Sequence, residues 1–120
     1  GDIPSFLKTA ADTEREDTLL ERWVRSLPAP YCTELTALYG EMDALETQEA
    51  RLYKALDKLE AVIQHNEAPI STWLPREYAL NMTYADENVA FSPYLTALRE
   101  AVRDETRAKI EAAGGLPPAK

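Results

Sequence analysis

The sequence predicts an all-α fold, a helical bundle, from three observations. The 120 residues include only four glycines and show no sustained alternation of apolar and polar residues, the pattern typical of half-buried strands. Residues that favour helices, such as Leu, Ala, Glu and Lys, are abundant, and apolar residues recur at spacings of three and four. The length predicts one domain with a single core, over residues 1–113, and a flexible tail over 114–120.

Capping and helix-breaking residues locate the first two helices. Residues 1–10 have no helical period, so we expect an extended segment there. Thr13 and Glu16 have the spacing of a capping box, which predicts a helix that ends where Pro28 begins a proline-rich turn. A second helix is predicted over 31–44.

The remaining helices have clear start and stop signals. Thr47 is a suitable cap for a third helix over 48–66. A short helical turn is expected around 75–80, within a proline-containing segment. Ser92, which precedes a proline, marks the start of the last helix, and Gly114 marks its end.

The charge and composition exclude several classes of partner. A net charge of −8 and a pI near 4.6 argue against binding to a nucleic-acid backbone or to an anionic membrane, because both require clustered Lys and Arg. A single cysteine, Cys32, cannot form an internal disulfide. No apolar run approaches 18 residues and no signal-peptide pattern is present, so we expect a cytoplasmic protein.

The third helix places polar residues along one edge of its apolar stripe. At 100° per residue, the stripe spans about 60° and predicts the core face; its members are Leu52, Leu56, Leu59 and Ile63. With Leu52 at zero, Glu60, Gln64 and Asp57 lie at about 80°, 120° and 140°, on one side of the stripe. The periodicity leaves two interpretations open: these are boundary residues whose carboxylates reach water, or Asp57 is a metal ligand supported by its neighbours.

Two short motifs in this chain resemble those of a known family. The run 54-KALDKLE-60, followed by Gln64, resembles the distal aspartate helix of HD-domain metal-dependent phosphohydrolases. The opening 1-GDIP-4 is similar to a motif of the 5'-deoxynucleotidase-like branch, and it stands in the same order and at a matching distance. The resemblance extends from residue 1 to about 66, and more loosely to the end.

The resemblance implies a partial HD-domain fold and a specific chemistry. It implies that Asp57 is the last ligand of a divalent metal, Mn, Co, Mg or Zn, and that Asp2 is a catalytic residue near the substrate. Three further residues match family positions and would surround the metal ligands without binding the metal: Lys54, Glu60 and Gln64. The implied reaction is the hydrolysis of a nucleoside 5'-monophosphate, the expected small phosphorylated substrate, to nucleoside and phosphate.

The same resemblance implies that this chain is catalytically incomplete by itself. The other three ligands of the family, a His and a His-Asp pair, would precede Gly1. His65 cannot replace them, because it lies about 12 Å along the helix from Asp57. We therefore expect the C-terminal portion of a longer enzyme, which associates with the missing N-terminal segment; a short natural relative that has lost catalysis is the open alternative.

A second functional hypothesis belongs to a different class. The third helix has apolar or small residues around much of its circumference. Such a helix also suits a non-catalytic interaction module that forms a homodimer.

Overall fold

The computed structural model describes residues 7–116 of the chain, and this part contains six α-helices. They are α1 (Ala10–Arg25), α2 (Tyr31–Ala44), α3 (Gln48–Glu67), α4 (Pro75–Thr83), α5 (Asp86–Val89) and α6 (Pro93–Ala112), with a 3₁₀ turn at Ile70–Thr72. No strand occurs within these residues, which confirms the all-α fold class. None of their helices is both long enough and apolar enough to cross a bilayer.

The chain divides into two compact units, Gly1–Ala50 and Arg51–Lys120. Each unit has its own helix pairings: α1 packs with α2 in the first, and α6 packs with α4 and α5 in the second. A single domain over residues 1–113 stays a prediction. The predicted extended segment falls largely on residues 1–6, and the predicted tail partly on 117–120, which lie outside the described residues.

The first helix begins earlier than predicted, because a different threonine caps it. Thr9 Oγ1 accepts a hydrogen bond from the Asp12 backbone N–H at 3.2 Å, and the Asp12 carboxylate accepts one from the Thr9 N–H at 3.0 Å. The prediction of a capping box at Thr13 is therefore wrong. The Asp12 carboxylate takes the place of the Glu or Gln usual in a capping box, because it accepts from the backbone N–H of the N-cap residue while Thr9 satisfies the N–H three residues on. The hydrogen bonds that the Asp12 carboxylate accepts from the Thr9 backbone N–H and from the Thr9 hydroxyl lower the pKa of Asp12.

The α1–α2 hairpin buries little apolar surface. Val24 is the one buried side chain of α1, and α2 has none. Large apolar side chains are instead exposed on both helices: Leu19, Trp23, Tyr31, Leu38 and Tyr39. The predicted span of α2 agrees with the structure.

The core of the second unit is only partly the predicted one. It contains Leu59, Ala55, Ala85, Val89 and Leu95, with Leu98 packed against them. Leu56, by contrast, is 45% exposed and Leu52 is 43% exposed. The buried face of α3 is thus rotated by about 60° from the predicted stripe, toward Ala55 and Val62. Small residues such as Ala55 and Ala85 allow the helix backbones to approach closely at this contact.

Helix α6 begins and ends at the predicted signals. Ser92 Oγ accepts a hydrogen bond from the Leu95 backbone N–H at 3.2 Å. At the other end Gly114 has a φ of +96°, and the Gly115 N–H donates to the Ile110 carbonyl at 3.0 Å. A left-handed glycine that closes a helix in this way is a common C-cap.

A buried arginine joins α4, α5 and α6. Arg99 is 1% exposed; its Nε donates to Asp86 Oδ1 at 3.0 Å and its Nη2 donates to the Asn81 carbonyl at 2.8 Å. Arg103 Nη2 donates to the same Asp86 oxygen at 2.7 Å. Asn81 Oδ1 lies 3.0 Å from His65 Nδ1, which extends this polar layer to α3. A charged residue on the buried face of α6 could not be inferred from apolar periodicity.

We predict that stability depends on pH through Asp86. Burial raises the pKa of this carboxyl, but the guanidinium groups of Arg103 and Arg99 lower it more, so the net pKa is below its ordinary value. Because the pKa is lower in the folded state, the stabilisation is present above about pH 4 and is lost as the pH falls toward the folded-state pKa. Urea denaturation at pH 7, 4 and 3 should show that the free energy of unfolding falls less on acidification in Asp86→Asn than in the unchanged chain. Asp104→Asn, an exposed acid of α6, is the control, and equal pH dependence in both variants would contradict the prediction.

Gly40 provides a second stability prediction. It lies within α2, and a Cβ added there would meet no atom within 4 Å. Gly40→Ala should therefore raise the free energy of unfolding by about 1 kcal/mol, because alanine favours the helix. Gly114→Ala is the matched control and should lower stability, since its φ of +96° strains any side chain. Thermal denaturation followed by circular dichroism measures both; a loss of stability in Gly40→Ala would show that the prediction is wrong.

Candidate functional site on helix α3

Helix α3 carries the predicted site along one edge. Thr47 caps it as predicted, with the Ala50 N–H donating to Thr47 Oγ1 at 3.1 Å. Asp57 and Glu60 follow on adjacent turns, and the side chains of both are exposed. Gln64, one turn further along, is also exposed. The spacing of three and four residues therefore aligns these polar groups as the sequence predicts.

Asp57 and Glu60 border a concave surface, which we call the Asp57 groove. Its volume is about 460 Å³. The other lining residues are mostly apolar: Tyr53, Leu56, Leu59, Ile63 and Leu98. Two carboxylates therefore lie beside an open apolar groove, in a unit where α3 and α6 form the walls. The exposure of Leu56 follows from this arrangement, because the groove replaces the core contact that periodicity predicted.

Two of the other predicted site residues, Lys54 and Gln64, do not line the Asp57 groove. Lys54 is half-buried, one turn before Asp57, and it does not line the Asp57 groove. Gln64 lies beyond the groove lining. Asp2 lies outside the described residues. The roles of all five residues stay predictions.

Residues 7–116 do not provide a complete metal site. Within them, no group of three or more His, Cys, Asp or Glu side chains is placed to hold one ion. A catalytic metal site normally uses about three protein ligands and an open position for water. Asp57, even with Glu60 beside it, offers too few donors, so these residues alone do not fit a catalytic metal.

His65 has a structural environment instead. Its Nδ1 pairs with Asn81 Oδ1, and its backbone carbonyl accepts a hydrogen bond from Trp73 Nε1 at 2.9 Å. The Trp73 ring also packs against the Tyr78 ring, with centroids 5.4 Å apart. These contacts hold the C-terminal end of α3 against the segment that leads into α4. They agree with the exclusion of His65 as a partner ligand of Asp57.

Lys58 makes a contact with Tyr84 that the helical periodicity did not predict. The helical wheel places it on the solvent side, but it is half-buried, and its Nζ donates to the Tyr84 hydroxyl at 2.9 Å. The same Nζ lies 4.8 Å from the centroid of the Tyr84 ring, within range of a cation–π interaction. Lys58 therefore attaches the helix segment next to Asp57 to the turn after α4. Only the tertiary structure brings these two residues together, since 26 positions separate them.

Comparison with known proteins identifies the family. The family model described as HD domain matches residues 1–99 of the 120. The chain belongs to the HD-domain family. Neither a curated protein nor a solved structure matches it. HD-domain proteins are generally metal-dependent hydrolases, so membership indicates the superfamily of metal-dependent phosphohydrolases.

We predict that this HD-domain chain by itself binds divalent metal only weakly. One or two carboxylates on an exposed helix edge should bind Mn²⁺ or Zn²⁺ with a Kd above about 0.1 mM. Isothermal titration calorimetry of the 120-residue chain measures this, with Asp57→Ala as the comparison. Tight binding of one ion per chain that disappears in Asp57→Ala would show that the ligand count is wrong.

Proposed function

We propose that this chain is part of a metal-dependent phosphohydrolase that hydrolyses nucleoside 5'-monophosphates to nucleoside and phosphate. Asp57 supplies one oxygen ligand to a divalent ion, Mn, Co, Mg or Zn, and the remaining ligands come from another segment. Asp2, which belongs to the 1-GDIP-4 motif, would act at the sugar or the leaving group. The nucleotide preference and these residue roles are the proposed part; the HD-domain family itself is established by the match above.

One observation carries this proposal. The HD-domain match over residues 1–99 includes both short motifs, the opening 1-GDIP-4 and the run 54-KALDKLE-60. Each motif alone is too short to be specific. Their occurrence in the expected order inside one family match favours the 5'-deoxynucleotidase-like branch over other HD-domain proteins.

The surroundings of Asp57 support the proposal that this residue is a metal ligand and that a second segment supplies the other ligands. Its carboxylate borders the Asp57 groove of about 460 Å³, whose walls are largely apolar. Tyr53 and Leu56 are 57% and 45% exposed there. A segment that brings the missing ligands would cover these side chains and remove the carboxylate from bulk water. Burial beside a cation strengthens the attraction between the two charges.

Asp57→Ala in the complete open reading frame tests the proposal. The protein should release phosphate from nucleoside 5'-monophosphates when Mn²⁺, Co²⁺, Mg²⁺ or Zn²⁺ is added. Loss of residues behind a metal ligand typically costs 10–100-fold, so loss of the ligand should reduce kcat/KM by at least about 100-fold. Glu60→Gln, which keeps the shape of the side chain, should cost about 10-fold.

Asp104→Ala is the matched control for Asp57→Ala. Asp104 is an exposed acid on α6 that pairs with Arg107 at 2.9 Å and does not line the Asp57 groove. Its removal should leave kcat/KM unchanged. Full activity in Asp57→Ala would remove this residue from the reaction, and release of phosphate only from substrates other than nucleotides would refute the substrate assignment.

A non-catalytic dimerisation module is the second candidate function. The exposure of Leu52, Tyr53 and Leu56 along α3 favours it, because an exposed apolar edge of this kind suits a second helix. A module of this class would release no phosphate with any metal, and Leu56→Asp would convert a dimer to a monomer in sedimentation. An active protein whose oligomeric state is unchanged by Leu56→Asp would exclude it.

A further inference from the structure

A second groove lies in the first unit, between α1 and α2, and we call it the hairpin groove. Its volume is about 350 Å³. Five of its lining residues, which we call its floor, are apolar or carry small or hydroxyl-bearing side chains: Leu20, Val24, Thr36, Tyr39 and Gly40. Its remaining lining residues are charged: Asp17, Glu21, Arg25 and Asp43. The groove therefore combines apolar with charged lining residues, and the charged ones, which we call its rim, are mainly acidic.

Two rim carboxylates have no counter-ion in the described part of the chain. Arg25, the one basic residue of the rim, lies 3.7 Å from Glu21. No Lys or Arg of residues 7–116 pairs with Asp17 or Asp43. Asp17 and Asp43 thus present negative charge on both walls of the groove, one from each helix.

The charge of the whole chain is concentrated in this unit. Residues 1–50 contain eleven acidic and four basic residues, whereas residues 51–120 contain ten and nine. The first unit therefore carries −7 of the total formal charge of −8. Such a field attracts a basic partner and repels a second copy of the same surface.

Gly40 leaves the floor of the hairpin groove open. A glycine in the middle of a helix weakens that helix, and nothing within 4 Å of its Cβ position requires one here. The absence of a side chain does, however, allow an external backbone to approach α2 closely. The hairpin also needs additional packing, because Val24 is the one buried side chain of its two helices.

We propose that the hairpin groove binds a basic amphipathic helix of a partner protein. The apolar face of that helix packs on Leu20, Val24 and Tyr39 and crosses α2 at Gly40. Its flanking Lys or Arg side chains pair with Asp17 and Asp43. This helix-in-groove arrangement uses apolar anchors at i, i+3, i+4 and i+7, with charge complementarity that selects the partner. The proposal is independent of the phosphohydrolase reaction.

Two synthetic peptides test the proposed chemistry. Both are helical, about 14 residues long, with the same Leu anchors. One has Lys at the flanking positions and the other has Glu. Fluorescence anisotropy of the labelled peptides with the 120-residue chain should show that the Lys peptide binds at least about tenfold more tightly and weakens as salt is added. Equal binding of the two peptides, or no binding of the Lys peptide, would overturn the proposal.

A charge-matched pair of variants separates the rim from the net charge. Asp17→Lys with Asp43→Lys should reduce binding of the Lys peptide at least about tenfold and improve binding of the Glu peptide. Glu14→Lys with Glu46→Lys makes the same change of net charge at exposed residues that do not line the hairpin groove, and it should change the affinity by less than about twofold. An equal loss in both pairs would mean nonspecific attraction and would refute a specific rim.

Filling the groove provides a test that does not depend on charge. Gly40→Leu should abolish binding of the Lys peptide, whereas Ala37→Leu, an exposed residue of α2 outside the groove lining, should retain it. Circular dichroism of both variants checks that α2 remains folded. Retained binding in a folded Gly40→Leu variant would overturn the proposal. Self-association of the chain would also overturn the proposal if Asp17→Lys with Asp43→Lys alters it, because a second copy of the chain would then occupy the groove.

Discussion

The second unit depends on the interactions of the buried Arg99. Its guanidinium reaches Asp86 at the start of α5 and the Asn81 carbonyl in α4, while its own backbone belongs to α6. Asn81 in turn contacts His65 in α3. A buried charge is tolerated only when counter-charges and acceptors surround it, so these helices must keep their positions together. The helix that carries Asp57 is held at its C-terminal end by this polar layer, together with the hydrogen bond between Trp73 and the His65 carbonyl.

The two sides of α3 have different environments. Its C-terminal part is anchored by polar contacts, and Ala55 and Leu59 pack into the core. The edge with Leu56, Asp57 and Glu60 faces the open Asp57 groove. A carboxylate on an anchored helix therefore lies next to an uncovered apolar surface. The membership in the HD-domain family agrees with this arrangement, since that family uses a metal.

The Asp57 groove and the hairpin groove differ in chemistry, and the difference separates their proposed roles. The Asp57 groove has apolar walls and lies within a unit of nearly balanced charge. The hairpin groove lies in the unit that holds most of the negative charge, and its rim carboxylates Asp17 and Asp43 lack cationic partners among the described residues. The acidic hairpin groove is therefore the one for which we propose a basic helix as the partner.

The sequence alone determined the helical class, the span of α2, the caps at Thr47 and Ser92, and the alignment of Asp57 with Glu60, because these depend on local hydrogen bonds and on the helical period. It also contained the motifs that indicated the HD-domain family. Only the tertiary structure decided which face of α3 is buried. The small residues Ala55 and Ala85 permit a close contact there, whereas apolar periodicity favours the face with the leucines. Burial of Arg99 and the pairing of Lys58 with Tyr84 likewise required the fold, because their partners are distant in sequence and only packing brings them within hydrogen-bonding distance.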